Sequence, residues 1–416
     1  MTEENKSVKN FPNLRFPEFE GEWEIRCLEE FIDVISGIAL KSDEIIEFEK
    51  GTPILRGINI TEGFIRHSKE IDRFYPKKIN EKTEKFILKI NDLVIGMDGS
   101  KVGKNVALID EKNIGSILIQ RVARIRALNS ANIHFIFQKI FSSEFIKYVD
   151  LVNTSSGIPH ISLQQIKDFK TSFPLNILEQ EKIASFLSLL DSRIQTQKKI
   201  IEQLETLMRA NREKLFSQKL RFKDDGGNYF SDWSLTELKN VCSIIGGGTP
   251  DTQKSEFWNG NIQWFTPTEI KSNFVFKSER TISELGLKNS SAKILPKGSI
   301  LLTTRATIGE VAIAQEECTT NQGFQSLIVK ENCNNVFLFH WIKENKLELI
   351  KRANGSTFPE ISKSEIEVIK ILLPSINEQT KIANCLSSIQ EKIDTERHIL
   401  EKLDLQKKFL LANLFV

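Results

Sequence analysis

The chain has 416 residues, 40% of them apolar, and its 57 Lys and Arg nearly cancel 55 Asp and Glu to leave a formal charge of +2 at pH 7. That length predicts two domains of ordinary size, and the near-zero balance argues weakly against a protein that holds nucleic acid by charge alone, since such proteins usually show a clear basic excess. No run of about 18 apolar residues occurs, so no membrane span is expected. The polar stretch 1–10 lacks a signal core, and Cys27, Cys242, Cys318, Cys333 and Cys385 are scattered without metal-type spacing. A reduced cytoplasm fits these features.

In chain order, residues 1–12 read as a disordered tail and 13–175 as a mixed α/β domain rich in short strands. Leu93-Val94-Ile95 follows a turn at Asn91-Asp92, and Ile117-Leu118-Ile119 is a later strand. Between them lies Gly96-Met97-Asp98-Gly99-Ser100-Lys101-Val102-Gly103-Lys104. A nucleotide-binding phosphate loop needs Gly where Asp98 stands and Ser or Thr where Asn105 stands, so nucleotide hydrolysis is rejected. The loop still suits a backbone phosphate of nucleic acid. Glycine lets N–H groups approach, and Ser100, Lys101 and Lys104 supply donors and charge. An ordinary solvated turn accounts for the same residues equally well. Gln120, Arg121 and Arg124 follow the later strand, and with Lys41, Arg56 and Asn59 they complete this domain's candidates for contact with DNA.

Residues 176–218 read as one long helix. Its apolar positions step four and three: Ile183, Leu187, Leu190, Ile194, Ile201, Leu204, Met208 and Leu215, with polar Gln197 and Asn211 in sequence with them. That spacing is a coiled-coil seam. The polar members either fix the helix pairing or sit where the seam frays.

Residues 219–375 form a second mixed domain. Ile300-Leu301-Leu302 follows a turn at Lys297-Gly298, and Leu327-Ile328-Val329 is a later strand. Gly246-Gly247-Gly248 marks close backbone approach or an unusual turn. The candidate contacts are Thr249, Thr252, Lys254, Trp264, Thr304, Arg305, Thr307, Asn321, Gln322 and Gln325. Asn and Gln can pair both edge atoms of adenine, Thr can touch a thymine methyl, and Arg can bond phosphate or grip guanine. Plain polar surface is the rival reading of each.

Residues 376–416 repeat the long helix, with a seam at Ile382, Leu386, Ile389, Ile393, Leu400, Leu403, Leu410 and Leu414, interrupted by Glu396 and Lys407. Two matched helices in one chain most simply pack antiparallel on each other. The chain is in fact written twice, closely in the helical blocks and at the front ends and only loosely in the middles. Ile161-Ser162-Leu163-Gln164-Gln165-Ile166 recurs 200 residues later as Ile361-Ser362-Lys363-Ser364-Glu365-Ile366, each two residues after a proline, Pro159 or Pro359. Glu179-Gln180 recurs as Glu378-Gln379, Leu14-Arg15-Phe16 as Leu220-Arg221-Phe222, and Trp23 and Gly37 as Trp233 and Gly247. The expected fold is therefore α/β (α+β), with two tandem, pseudo-two-fold-related domains and a long antiparallel coiled-coil pair.

On these residues the chain resembles the specificity subunits of type I restriction-modification systems. The likeness rests on the duplicated plan, on Gly247-Gly248-Thr249-Pro250 leading to Trp264, and on Thr319 to Gln325. It rests also on Gly355-Ser356-Thr357-Phe358-Pro359-Glu360-Ile361-Ser362 and on Pro374-Ser375-Ile376-Asn377-Glu378-Gln379 opening a long helix. The first domain departs from it, with Ser36-Gly37-Ile38-Ala39 where the second has three glycines. The resemblance implies two target-recognition domains, each reading half of a split site in double-stranded DNA. It implies that the helices act as spacer and as seat for two modification subunits, methylating adenine N6 from S-adenosylmethionine. Motor-nuclease subunits would use ATP and Mg²⁺, and no cofactor is expected on this chain. A rod of roughly 60 Å corresponds to about 18 base pairs at most.

A catalytic role is not expected. His67, His134, His160, His340 and His398 are isolated, and neither a nucleophile elbow nor an Asn/Asp-Pro-Pro-aromatic tetrad occurs. A coiled-coil scaffold without DNA recognition is the alternative; it would not need paired polar loops on duplicated domains.

Overall fold

The computed structural model describes residues 10–415 apart from 48–49, 154–157, 306 and 356–358. It divides into two compact units, one made of Met1–Lys198 with Ile399–Val416 and the other of Lys199–His398. Each unit takes part of both long helices, whereas the sequence set the helices apart as segments of their own.

In the first unit, Ile32–Ser36, Val122–Ala127, Leu93–Gly96 and Val106–Leu108 form an antiparallel sheet in that order. A smaller sheet sets Thr52–Leu55 between antiparallel Arg73–Tyr75 and parallel Ile117–Leu118. Glu24–Cys27 pairs with Lys170–Phe173 and ties the two ends of the module together. The second unit repeats this order with Cys242–Gly246, Gln325–Val329, Ile300–Leu302 and Val311–Ala314, and adds Phe274–Val275 at the edge. Its smaller sheet sets Trp258–Phe265 between Arg280–Ile282 and Cys318–Thr320, and Ser234–Glu237 pairs with Lys370–Leu373.

The unbroken apolar triplets in the sequence have a simple cause. Successive strand residues face opposite sides of a sheet, and here both sides are covered. Leu93 and Ile95 enter one core cluster and Val94 another; likewise Ile300 and Leu302 enter one and Leu301 another. Each module then carries a helix on the larger core, Ile133–Ile140 or Asn335–Glu344. Asn132 and Asn334 cap these helices, each accepting two backbone N–H groups.

The long helices span Ile177–Phe216 and Ile376–Leu414, 40 and 39 residues. At about 1.5 Å per residue each is roughly 60 Å long. Every seam position named above is buried or half-buried. In the first unit Ile183 and Leu187 share a core with Leu410 and Leu414, and Asp191 pairs with Lys407 at 2.5 Å. In the second, Met208 and Leu215 share a core with Ile382, Leu386 and Ile393, and Glu205 pairs with Arg397 at 2.5 Å. Within each unit, numbering rises along one helix as it falls along the other, so the contact is antiparallel. Lys407, a polar break in the apolar pattern, also lies over the Phe141 ring at 4.7 Å.

The start of each long helix is bolted to its module. Glu179 and Glu378 are buried carboxylates. Glu179 accepts from Arg15 at 2.7 and 2.8 Å and from the Trp23 indole at 3.2 Å. Glu378 accepts from Arg221 at 3.2 and 3.1 Å and from Trp233 at 3.0 Å. The neighbouring Gln180 and Gln379 accept the N–H of Asn132 and Asn334, both at 2.8 Å, and donate back to Pro174 and Pro374 carbonyls. Beside the same Trp23, Asn10, assigned to the tail from sequence, is tied down: its carbonyl accepts from Trp23 N–H at 2.7 Å and its side chain from Ser172 at 2.7 Å.

Candidate nucleic-acid interface

In each unit four segments meet where the sheet edges cross. In the first unit Gly37 N–H donates to Val122 and Gln120 N–H to Ile38, Met97 N–H donates to the Arg121 carbonyl, and Ile161 N–H to Met97. In the second, Gly248 N–H donates to Thr320, Thr304 N–H to Gly323, and Ile361 N–H to Thr304. The repeated glycines are explained by this crossing. A Cβ on Gly37 would stand 2.3 Å from the Ile119 carbonyl oxygen, and one on Gly247 would stand 2.0 Å from that of Asn321. Only glycine lets the chain pass so close.

At this crossing the structure brings together Gln120 and Arg121 in the first unit. In the second it gathers Thr249, Arg305, Asn321 and Gln322. Thr249 donates its hydroxyl to the Gln322 side-chain oxygen, and the Asn321 side chain turns back to accept from Gly323 N–H at 2.9 Å. Gln325 lies beside Gly246, and its Oε1 is buried without a hydrogen-bond partner. Gln322, Arg121, Arg305 and Thr307 are exposed.

Four candidates named from sequence are core residues instead. Asn59 is 1% exposed and is spent on Arg66 and Asp72. Arg124 is 4% exposed and turns to Asp33; burial lowers the pKa of its guanidinium. Thr304 is fully buried and bonds the Gly323 carbonyl at 3.2 Å. Trp264 is buried edge-on against Trp258 and donates to the Gly248 carbonyl at 2.9 Å, so it braces the glycine loop from inside. Each of these side chains has a partner within its module, as buried polar groups generally do, although Arg124 Nε is buried without one. Arg56 is half-buried and donates to the Ile71 carbonyl at 2.5 Å.

Ser100, Lys101 and Lys104 are exposed. The turn uses left-handed glycines at Gly99 (φ 101°) and Gly103 (φ 78°), and Gly309 (φ 85°) serves the matching turn. The N–H groups of Val102, Lys104 and Asn105 bond back to Gly99 and Lys101. Those three amides are therefore committed to the turn, and among the side chains Lys101 already pairs with Glu62 at 3.1 Å. Lys41, Thr252 and Lys254 are exposed outside these crossings, and Lys254 lies over the Phe257 ring.

Sequence reasoning missed Asp98, His160 and Glu360. Asp98 and His160 form an isolated bridge, as Arg305 and Glu360 do at the matching place. Asp98 pairs by charge with Arg121, Nε at 3.2 Å, as well as holding the His160 ring, and Glu360 pairs by charge with Arg305, Nε at 2.9 Å. The signal was present: His160 and Glu360 each follow the proline that marks the 200-residue repeat.

The family model described as "Type I restriction modification DNA specificity domain" matches residues 20–206 and again 230–405. The chain belongs to this family. The two specificity-domain matches fall on the two modules with their helices. Among similar proteins is the type I restriction enzyme MjaIX specificity subunit of Methanocaldococcus jannaschii, 38% identical over 210 residues, 48% of each chain. The alignment thus spans about half of that relative. The putative type I restriction enzyme MjaX specificity subunit of the same organism is 27% identical over 97% of this chain and 95% of its own. The EcoR124I/EcoR124II specificity subunit of Escherichia coli is 32% identical over 40% of this chain and 45% of its own. The fold matches the crystal structure of a type I restriction-modification S subunit from M. genitalium, with a TM-score of 0.65 over 98% of this chain and 99% of that one at 17% identity.

Among the described residues no helix is long and apolar enough to cross a membrane, and no three His, Cys, Asp or Glu gather as a metal site. Burial pushes the thiols of Cys242, Cys318 and Cys333 up to about 12, which keeps them from acting as thiolates.

Proposed function

We propose that this specificity-domain protein reads a bipartite sequence in double-stranded DNA, each module taking one half, and that it performs no chemistry itself. The observation that carries this is the doubling of the crossing: two modules of one strand order gather exposed Gln and Arg side chains, Gln120 and Arg121 in one and Gln322 and Arg305 in the other, around a glycine that lets backbone pass backbone. Such side chains read base edges through paired donors and acceptors. A scaffold would have no use for two copies of that arrangement.

The paired helices set the number of unread base pairs and seat two methyltransferase subunits. Exposed apolar groups on the helices, Leu189 at 72% and Leu405 and Phe409 at 59%, suit a protein partner. S-adenosylmethionine would be held by those partners, and ATP and Mg²⁺ by motor-nuclease subunits. The net charge of +2 accords with partners that enclose the DNA and supply cations. The test is methylome sequencing of a host that expresses the chain with its methyltransferase partner. A single split motif carrying N6-methyladenine is expected, with no mark when either protein is omitted. Marks without sequence preference would support the scaffold.

A further inference from the structure

We propose that Arg121 and Arg305 are the guanine-reading groups of the two modules, each set for the task by a carboxylate, Asp98 or Glu360. This rests on the DNA-reading proposed above and names the residue and base in each half-site.

The two latches occupy one topological place with the charges exchanged. In the first unit the loop after Leu93–Gly96 carries the acid, Asp98, which holds His160 from the opposite arm and Arg121 from the neighbouring turn. In the second, the loop after Ile300–Leu302 carries the base, Arg305, and the opposite arm supplies the acid, Glu360. The repeat has therefore kept a carboxylate-held guanidinium at the crossing while moving it to a different position in the chain.

In both latches the carboxylate takes Nε. The guanidinium is a rigid fork of five donors, so a charge contact at Nε restricts where its two terminal nitrogens lie. An end-on pair of donors is what guanine O6 and N7 accept in the major groove. A carboxylate alongside also repels a phosphate, so it favours the neutral base edge over the DNA backbone. The side chains are 71% and 47% exposed, whereas Arg124 is buried and Arg126 is held by both oxygens of Asp92. Arg121 sits at φ 67°, a backbone region that non-glycine residues occupy at a cost. That conformation carries the guanidinium at the tip of the turn.

The experiment uses the full chain assembled with its methyltransferase partner and reads the methylated motif by sequencing. Arg121→Gly suits the left-handed backbone and removes the guanidinium, so folding is retained. We expect guanine preference to fall roughly tenfold or more at one position of one half-site, the scale of a lost bidentate contact, with the other half unchanged. Arg305→Gln is expected to do the same in the other half. Asp98→Asn and Glu360→Gln should relax the same two positions less, which marks them as positioning residues. Uniformly weaker methylation with an intact motif in both arginine variants would overturn the assignment, as would relaxation at a base other than guanine. A wild-type complex that marks no defined motif would overturn the DNA-reading as well.

Discussion

Arg221 closes on the carboxylate of Glu378 with two nitrogens, at 3.2 and 3.1 Å, across 157 residues of sequence. Arg15 and Glu179 repeat the contact in the first module, 164 residues apart. The bond to Glu378 raises the Arg221 pKa above its ordinary value, and Glu179 does the same for Arg15. In both cases the segment before the module's first strand is fastened to the first turn of a long helix, so the module cannot swing freely on the helix.

Removing one partner leaves a buried charge without compensation. Arg221→Ala is expected to cost about 3–5 kcal/mol, measured as a shift in the denaturant midpoint. The double variant Arg221→Ala/Glu378→Leu should recover much of that loss. Additive losses in the double variant would show that the two residues do not act as a pair.

Burial, followed by the charges of Lys343 and Arg212, pushes His340 down to about 3. An unfolded histidine titrates near 6.5, so below that pH the unfolded chain takes up a proton that the folded chain refuses. The stability from a neutral His340 is therefore complete above pH 6.5 and is lost as pH falls toward 3. The loss is about 2 kcal/mol by pH 5. His340→Gln, the residue type at the corresponding position Gln138, should flatten the decline between pH 7 and 5. A decline as steep in that variant would assign it to other groups.

Gly247→Ala tests the crossing. The added Cβ meets the Asn321 carbonyl oxygen at 2.0 Å and the Thr320 hydroxyl at 2.4 Å, so backbone must move, at a cost of about 1–3 kcal/mol. The expected result is loss of discrimination in one half of the methylated motif while the other half stays sharp. Gly37→Ala should act on the other half. Unchanged motifs in both variants would show that the crossings do not face DNA.

Inserting one helical turn, about 3.6 residues, beside Gln197 should change the number of unread base pairs and leave both half-motifs intact. An unaltered spacer would remove the helices from that role.

Much of this organisation is legible in the sequence because repetition and periodicity survive in it. The four-and-three steps of Ile183 to Leu215 and Ile382 to Leu414 trace the face that the structure buries. The Pro159 and Pro359 repeats fall at the same turn of two modules with one strand order. Pairing across the chain was not legible. Glu179 and Glu378 look like acidic residues placed to suit a helix end; that each would be buried under an arginine and a tryptophan from before the module depends on distant segments meeting. Thr304, Asn59 and Arg124 look like surface residues because their types are polar, yet each is buried against a partner distant in sequence: Gly323, Asp72 and Asp33. The contact of Asp98 with His160 joins residues 62 apart, and only the repeated proline before His160 marked the place.

Exchanging residues 225–375 for those of a relative that reads a different sequence, followed by methylome sequencing, tests the division of labour most directly. One half of the motif should change to the relative's, with the other half and the spacer as before. A motif altered in both halves would contradict a protein built of two independent readers.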